Sequence, residues 1–420
     1  MGDSFFINGR QEIGGEISVK GSKNFVLKAL AASLLTEEPC FIKNVPQITD
    51  VKVMIDLLKK IGVKVTEIGK RELKIESQDM SKFEIDPDDA RKVRASIAFS
   101  GPLLARSGEL TIPHPGGDVI GKRPINFFIE GFRRMGAEVE QIDSKYKLKV
   151  KGRLEGTKIF FPKISVTGTE TLAMAAVLAK GTTVIGNAAM EPEVSYLCEC
   201  LVRMGAKIKG IGTSTLTIEG VKELKGGTFE TMPDRIETGT FVMMGIMNNA
   251  DLVIKDCNPS HLEALWENLK ETGANVEIGK DSVRTIPVKK RIKGGSIQTH
   301  EYPGFATDLQ PIYTLLMTQA SGVSLIHDSI FEGRLFFTDI LNRMGADIIM
   351  CDPHRVVVSG PTNFSGKHIE SPDIRAGIAL ILAATIAKGK SVIDNAEIID
   401  RGYENIEGRL QKIGVDIRRG

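Results

Sequence analysis

One nine-residue phrase recurs six times along the chain. It reads LLKKIGVKV at 57–65, FRRMGAEVE at 132–140, LVRMGAKIK at 201–209, LKETGANVE at 269–277, LNRMGADII at 341–349 and LQKIGVDIR at 410–418. Its glycines, Gly62, Gly136, Gly205, Gly273, Gly345 and Gly414, stand 74, 69, 68, 72 and 69 residues apart. Self-similarity at a fixed period means one structural unit repeated, and six units of about 70 residues account for all 420. In each, an amphipathic helix stops at a glycine able to take the left-handed conformation after a helix end. Alternating strand pattern follows, as in AKIKGIGTSTLTIEG at 206–220, where Gly-Ile-Gly-Thr-Ser divides a hairpin.

Upstream in each unit lies a second kind of helix. LKALAASLL at 27–35, TLAMAAVLA at 171–179, FVMMGIM at 241–247 and GIALILAATIA at 377–387 are apolar nearly all round, which predicts burial. Strands follow most of them, such as GTTVIGN at 181–187 and GKSVIDN at 389–395. Each unit therefore reads β-α-β-α-β-β, an α/β protein whose parallel pairs need right-handed crossovers. A unit this small cannot hide an all-apolar helix alone. Three units packed together can, so six make two lobes.

The heads of these buried helices carry unusual polar groups: Lys23-Asn24, Arg94, Thr167-Gly168-Thr169, Asp234-Arg235 with Glu237, Asp308 and Arg375. A helix N-terminus has free N–H groups and a positive dipole, and attracts anions. If the lobes face each other, these ends line one cleft. Composition removes other classes. With 55 basic and 53 acidic residues, the net charge of +2 argues against a nucleic-acid partner. No apolar run is long enough to span a membrane, and the opening MGDSFFINGR lacks the apolar core of a signal peptide. Five scattered cysteines fit a reducing cytoplasm, and Cys198 and Cys200 read as packing residues. No metal-ligand spacing of histidines is present, so neither a metal nor a cofactor is expected.

Eight motifs carry a family resemblance: GSKN at 21–24, KVRASI at 92–97, GGDVIGKRPI at 116–125, PDRIETGTF at 233–241, FATDLQ at 305–310, FEGR at 331–334, DIRAG at 373–377 and IDRGYENIE at 399–407. Over its full length the chain resembles the enolpyruvyl transferase family. The resemblance implies a two-lobed inside-out α/β barrel with three repeats per lobe. One lobe is residues 1–22 plus 233–420; the other is 23–232 and carries a mobile loop around 113–124. It also implies a reaction: the enolpyruvyl group of phosphoenolpyruvate moves to the 3′-hydroxyl of UDP-N-acetylglucosamine, phosphate leaves, and the path runs through a tetrahedral ketal in peptidoglycan precursor synthesis. Enolpyruvyl transfer to shikimate 3-phosphate is the alternative acceptor, although that branch's serine- and arginine-rich signatures are absent. An RNA-end-binding protein is the alternative class.

The chemistry needs an acid for carbon, a base for the hydroxyl, and cations around a carboxylate and a phosphate. By resemblance, Lys23, Asn24, Arg123, Arg375 and Arg401 hold phosphoenolpyruvate, with Arg334 in a matching neighbouring motif. Lys23 and Arg401 also act in catalysis. Arg94 matches a nucleotide-sugar contact, and the sugar nucleotide runs along Arg123, Pro124, Ile125, Asn126 and Phe127. It then meets the loop of Lys163, Ser165, Val166 and Thr167, and Ile330. Asp308 matches the base, with a plain helix N-cap as its other reading, and Glu191 matches a further site position.

The family's usual Gly-Gly-Cys at the loop tip is here Gly116-Gly117-Asp118, so Asp118 stands where the general acid belongs. A free aspartate ionises near pH 3.9; it works as an acid only where desolvation and nearby anions favour its protonated form. The epoxide fosfomycin alkylates the family's cysteine thiolate, so a carboxylate there predicts insensitivity.

Overall fold

The computed structural model describes every residue except Met1, Lys82 and Val119. The chain divides into two compact units. One comprises Met1–Lys20, Asp118–Lys122 and Pro233–Gly420, the other Gly21–Gly117 and Arg123–Met232. The early boundary thus falls two residues before the expected one, and Asp118–Lys122 group with the first unit although the chain on either side belongs to the second.

In the second unit, three inner helices form the core: α1 (Lys23–Ala32), α2 (Ser100–Ser107) and α3 (Val166–Ala176). Most of their residues are buried, including Lys28 and Glu170, which pair with each other. Helices α2 and α3 approach so closely that a Cβ on Gly101 would lie 2.2 Å from the Thr171 carbonyl oxygen. Each helix is covered by its own small sheet. Cys40–Lys43 sits between Thr228–Glu230 and Glu72–Glu76, the latter pairing with Lys64–Gly69. Thr182–Gly186 is flanked by Lys158–Phe160 and the predicted hairpin Lys207–Lys209/Thr215–Glu219. The third sheet has three strands, and its parallel partner is reduced to a bridge between Glu84 and Thr111.

The first unit repeats the plan around α4 (Arg235–Met247), α5 (Gln310–Met317) and α6 (Ile374–Ile386), with a separate core. All six phrase glycines have positive φ, between 80° and 114°, the conformation their helix-ending position predicts.

Three strand placements among the described residues were beyond reach of the repeat pattern, one of them the parallel pairing of Gly15–Ser18 with Leu252–Lys255. Phe5–Asn8 inserts antiparallel between Lys390–Asp394 and Asp416–Arg419, completing the last repeat with the first strand of the chain. Thr228–Glu230 runs parallel to Cys40–Lys43, far earlier in sequence. Periodicity fixes which residues face the core, but says nothing about which distant strand supplies an edge.

Candidate active site

Inner-helix heads are held by short polar side chains. Ser22 caps α1, Ser165 accepts the Gly168 N–H at 3.1 Å, Asp234 accepts those of Ile236 and Glu237, and Asp373 those of Arg375 and Ala376. These caps satisfy donors that no intrahelical carbonyl reaches.

In the first unit the predicted groups form one charged cluster. Asp308 lies between two buried guanidiniums: Arg334 Nη2 donates to Oδ1 at 3.0 Å, and Arg375 Nε to Oδ2 at 3.1 Å. Asp308 does not take the N-cap position of either helical segment there; those belong to Ala306 and Leu309. The capping reading is therefore replaced by an arginine clamp. Burial alone would push Arg375 down, but Asp308, Tyr403 and Asp234 hold it above the ordinary arginine range. Arg375 also donates to the Tyr403 hydroxyl at 3.1 Å. Arg401 Nη1 donates to Asp118 Oδ1 at 2.7 Å, with the two side chains 19% and 17% exposed. Asp373 feels both Arg334 and Asp118, and burial raises its carboxyl.

The turn before Arg334 is built by Asp328, which is fully buried. Its Oδ1 accepts the N–H groups of Ile330 and Phe331, and its Oδ2 accepts the hydroxyl of Thr307, next to Asp308. The backbone N–H of Ile330 is thus engaged within the protein. Phe331 lies against the Arg334 guanidinium, 5.2 Å from ring centroid to carbon.

In the second unit, Lys23 pairs with buried Asp50 at 2.9 Å. The Asn24 carbonyl accepts from Lys28 at 3.3 Å, and Lys28 pairs with Glu170 of α3 at 2.8 Å. Glu191 is buried and close enough to Glu170 to act on its charge. Burial, and then the Arg123 charge, push Arg94 down to about 9. Its guanidinium donates to the neutral Arg123 carbonyl. Phe127, in the first segment expected to meet the sugar nucleotide, packs edge to face with Phe161, just before the second, 6.2 Å between centroids. Pro124 and Asn126 are exposed and Ile125 is buried. Ser165 occupies the Gly168 N–H, and Val166 and Thr167 form the first turn before it. Lys163 is exposed just before them.

The family model of EPSP synthase (3-phosphoshikimate 1-carboxyvinyltransferase) matches residues 7–410. The chain belongs to this family of carboxyvinyltransferases. Within it, the chain is 44% identical to the UDP-N-acetylglucosamine 1-carboxyvinyltransferase of Koribacter versatilis, over 99% of this chain and 96% of that one. It is 42% identical to the enzyme of the same name from Treponema denticola, over 98% of each. Among solved structures, the enolpyruvyl transferase NikO of Streptomyces tendae shares the fold with a TM-score of 0.90 at 22% identity, over 100% of this chain and 99% of that one. EPSP synthase of Acinetobacter baumannii matches with a TM-score of 0.78 at 17% identity over the whole of both chains.

Sequence reasoning about this carboxyvinyltransferase missed the groups that fix its charged side chains and their turns: Asp50, Asp328, Asp373 and Tyr403. Asp328 had a readable signal, since Asp-Ser-Ile-Phe places N–H groups two and three residues after an aspartate. Asp50 and Tyr403 had none, because their partners are distant in sequence.

Proposed function

We propose that the chain transfers the enolpyruvyl group of phosphoenolpyruvate to the 3′-hydroxyl of UDP-N-acetylglucosamine, releasing phosphate, as a cytoplasmic step in peptidoglycan precursor synthesis. The observation that carries this reading is a pair of carboxylates in one charged cluster, Asp118 on Arg401 and Asp308 between Arg334 and Arg375. Addition across a carbon–carbon double bond needs such a pair, one group giving a proton and one receiving it.

In the first step Asp118 gives its proton to C3 of the enol, the sugar oxygen bonds to C2, and the hydroxyl proton passes to Asp308. In the second, the C2–O bond to phosphate breaks, Asp308 passes its proton to the departing phosphate, and C3 returns a proton to the Asp118 carboxylate, restoring the double bond. Arg401 has a double role. Phosphoenolpyruvate competes with Asp118 for its guanidinium, and exchange leaves the carboxyl beside an anion instead of a cation, the setting an acid needs. Arg375 and Arg334 orient Asp308 toward the hydroxyl. Lys23 offers a compact charge to the developing anion, while Arg94, Arg123 and the N–H groups of Val166 and Thr167 receive the diphosphate.

The matched family model also bears the name of the shikimate-phosphate branch, so the acceptor is the point to test. Phosphate release from phosphoenolpyruvate, measured with each acceptor, should require UDP-N-acetylglucosamine. Release with shikimate 3-phosphate and none with the sugar nucleotide would overturn the assignment.

A further inference from the structure

Glycines occupy three of the six positions from 116 to 121, and such a stretch loses much conformational freedom when it adopts one shape. An acid carried there needs anchors beyond its own ion pair. The first unit supplies them from the FEGR turn. The Lys122 N–H donates to Glu332 Oε1 at 2.7 Å. The Gly333 N–H donates to the Ile120 carbonyl at 2.9 Å, and Ile120 is itself buried. The approach is too close for side chains: a Cβ on Gly121, where φ is 131°, would lie 2.5 Å from Glu332 Oε2, and one on Gly333 would lie 2.7 Å from the Ile120 carbonyl carbon.

We infer that Glu332 is a positioning residue for Asp118, a carboxylate latch that holds the segment after the acid by its backbone. The four residues of the turn then divide the work. Phe331 lies against Arg334, Glu332 and Gly333 hold the acid's segment, and Arg334 holds Asp308. One turn thereby sets the proton donor relative to the proton acceptor. Charge strengthens the latch, since an ionised carboxylate is the stronger acceptor for an N–H. The amide oxygen of glutamine can still receive it.

This inference rests on the acid role proposed for Asp118, so its test has one arm that needs no turnover. Lys122 is exposed and is a trypsin site, whereas the Arg123–Pro124 bond resists trypsin. Glu332→Ala should raise the rate of cleavage after Lys122 and lower kcat, each by about tenfold, the loss expected when one charge-assisted hydrogen bond goes. KM for both substrates and the melting temperature should stay close to those of the unmodified protein. Glu332→Gln should restore most of both losses, and Gly121→Ala, which pushes the same carboxylate away, should reproduce them. Unchanged cleavage and unchanged kcat in Glu332→Ala would overturn the latch, as would failure of Glu332→Gln to restore either. If the chain releases no phosphate with either acceptor, the functional reading falls while cleavage still decides the latch.

Discussion

The candidate-site arginines of the two units are treated in opposite ways. In the first, guanidiniums meet protein carboxylates: Arg334 and Arg375 share Asp308, and Arg401 holds Asp118. In the second, among the described residues, Arg94 donates to the neutral Arg123 carbonyl, and burial and then the Arg123 charge push it down to about 9. Like charges held together and partly buried cost stability unless an anion arrives. On the proposed function, the first unit is organised before substrate comes, with its cations aiming the two carboxylates, and the second keeps a positive charge for the ligand to compensate.

The largest expected effect breaks the first half of that contrast. If Asp118 only neutralised Arg401, an amide there would cost little turnover. As the proton donor, it cannot be replaced by asparagine: Asp118→Asn should lower phosphate release by roughly 10²–10⁴-fold. Asp118→Cys should keep activity and become inactivated by fosfomycin, while the unmodified protein resists it. Potent inactivation of the unmodified protein, with an adduct on any residue, would remove Asp118 from this role.

Next come the arginines themselves. Removing one partner of a buried pair strands the other, so Arg375→Met should cost roughly 3–5 kcal/mol of stability, read by chemical denaturation, in addition to turnover. Arg94→Met should do the reverse. Stability should hold or rise, because a partly buried guanidinium with no carboxylate partner among the described residues is gone. KM for UDP-N-acetylglucosamine should increase roughly ten- to a hundredfold, the worth of one hydrogen bond to a charged group. Equal stability losses in the two variants would erase the contrast between the units.

Most of the architecture was legible because it is periodic. The six glycines, the all-apolar helices and the polar groups at their heads follow from local chain geometry, and every phrase glycine took the conformation its position requires. The candidate site was legible only at its tips. Asp308 could be singled out beside α5, but its clamp joins residues 26 and 67 positions away, and Arg401 reaches Asp118 across 283. No pattern within a helix or hairpin encodes such a pairing. Asp308 was for that reason assigned a capping alternative that the arginines displace.

The smallest effect concerns two buried pairs that look alike and differ in how fully they are satisfied. In the first unit Glu237 takes the Arg409 guanidinium on one oxygen and the Lys20 N–H on the other, at 2.6 Å. In the second, Glu170 is 0% exposed and has Lys28 2.8 Å from Oε2, but among the described residues neither of its oxygens receives a well-formed hydrogen bond. Burial therefore raises Glu170 to about 7, against the pull of Lys28, with Glu193 and Glu191 adding to the rise. Unfolded, the same carboxyl ionises near 4.3. Between those values the folded chain binds the extra proton, so this group's contribution to stability is complete below the lower value. It is lost as pH rises through the upper one. The expected gain on going from pH 8 to pH 6 is about 1 kcal/mol. Other carboxylates respond to pH too, so the quantity to measure is the difference between the unmodified protein and Glu170→Gln, in which this component is gone. Parallel stability curves for the two would mean that Lys28 holds Glu170 ionised throughout. The two units would then satisfy their buried carboxylates equally well, and the contrast between them would be confined to the arginines.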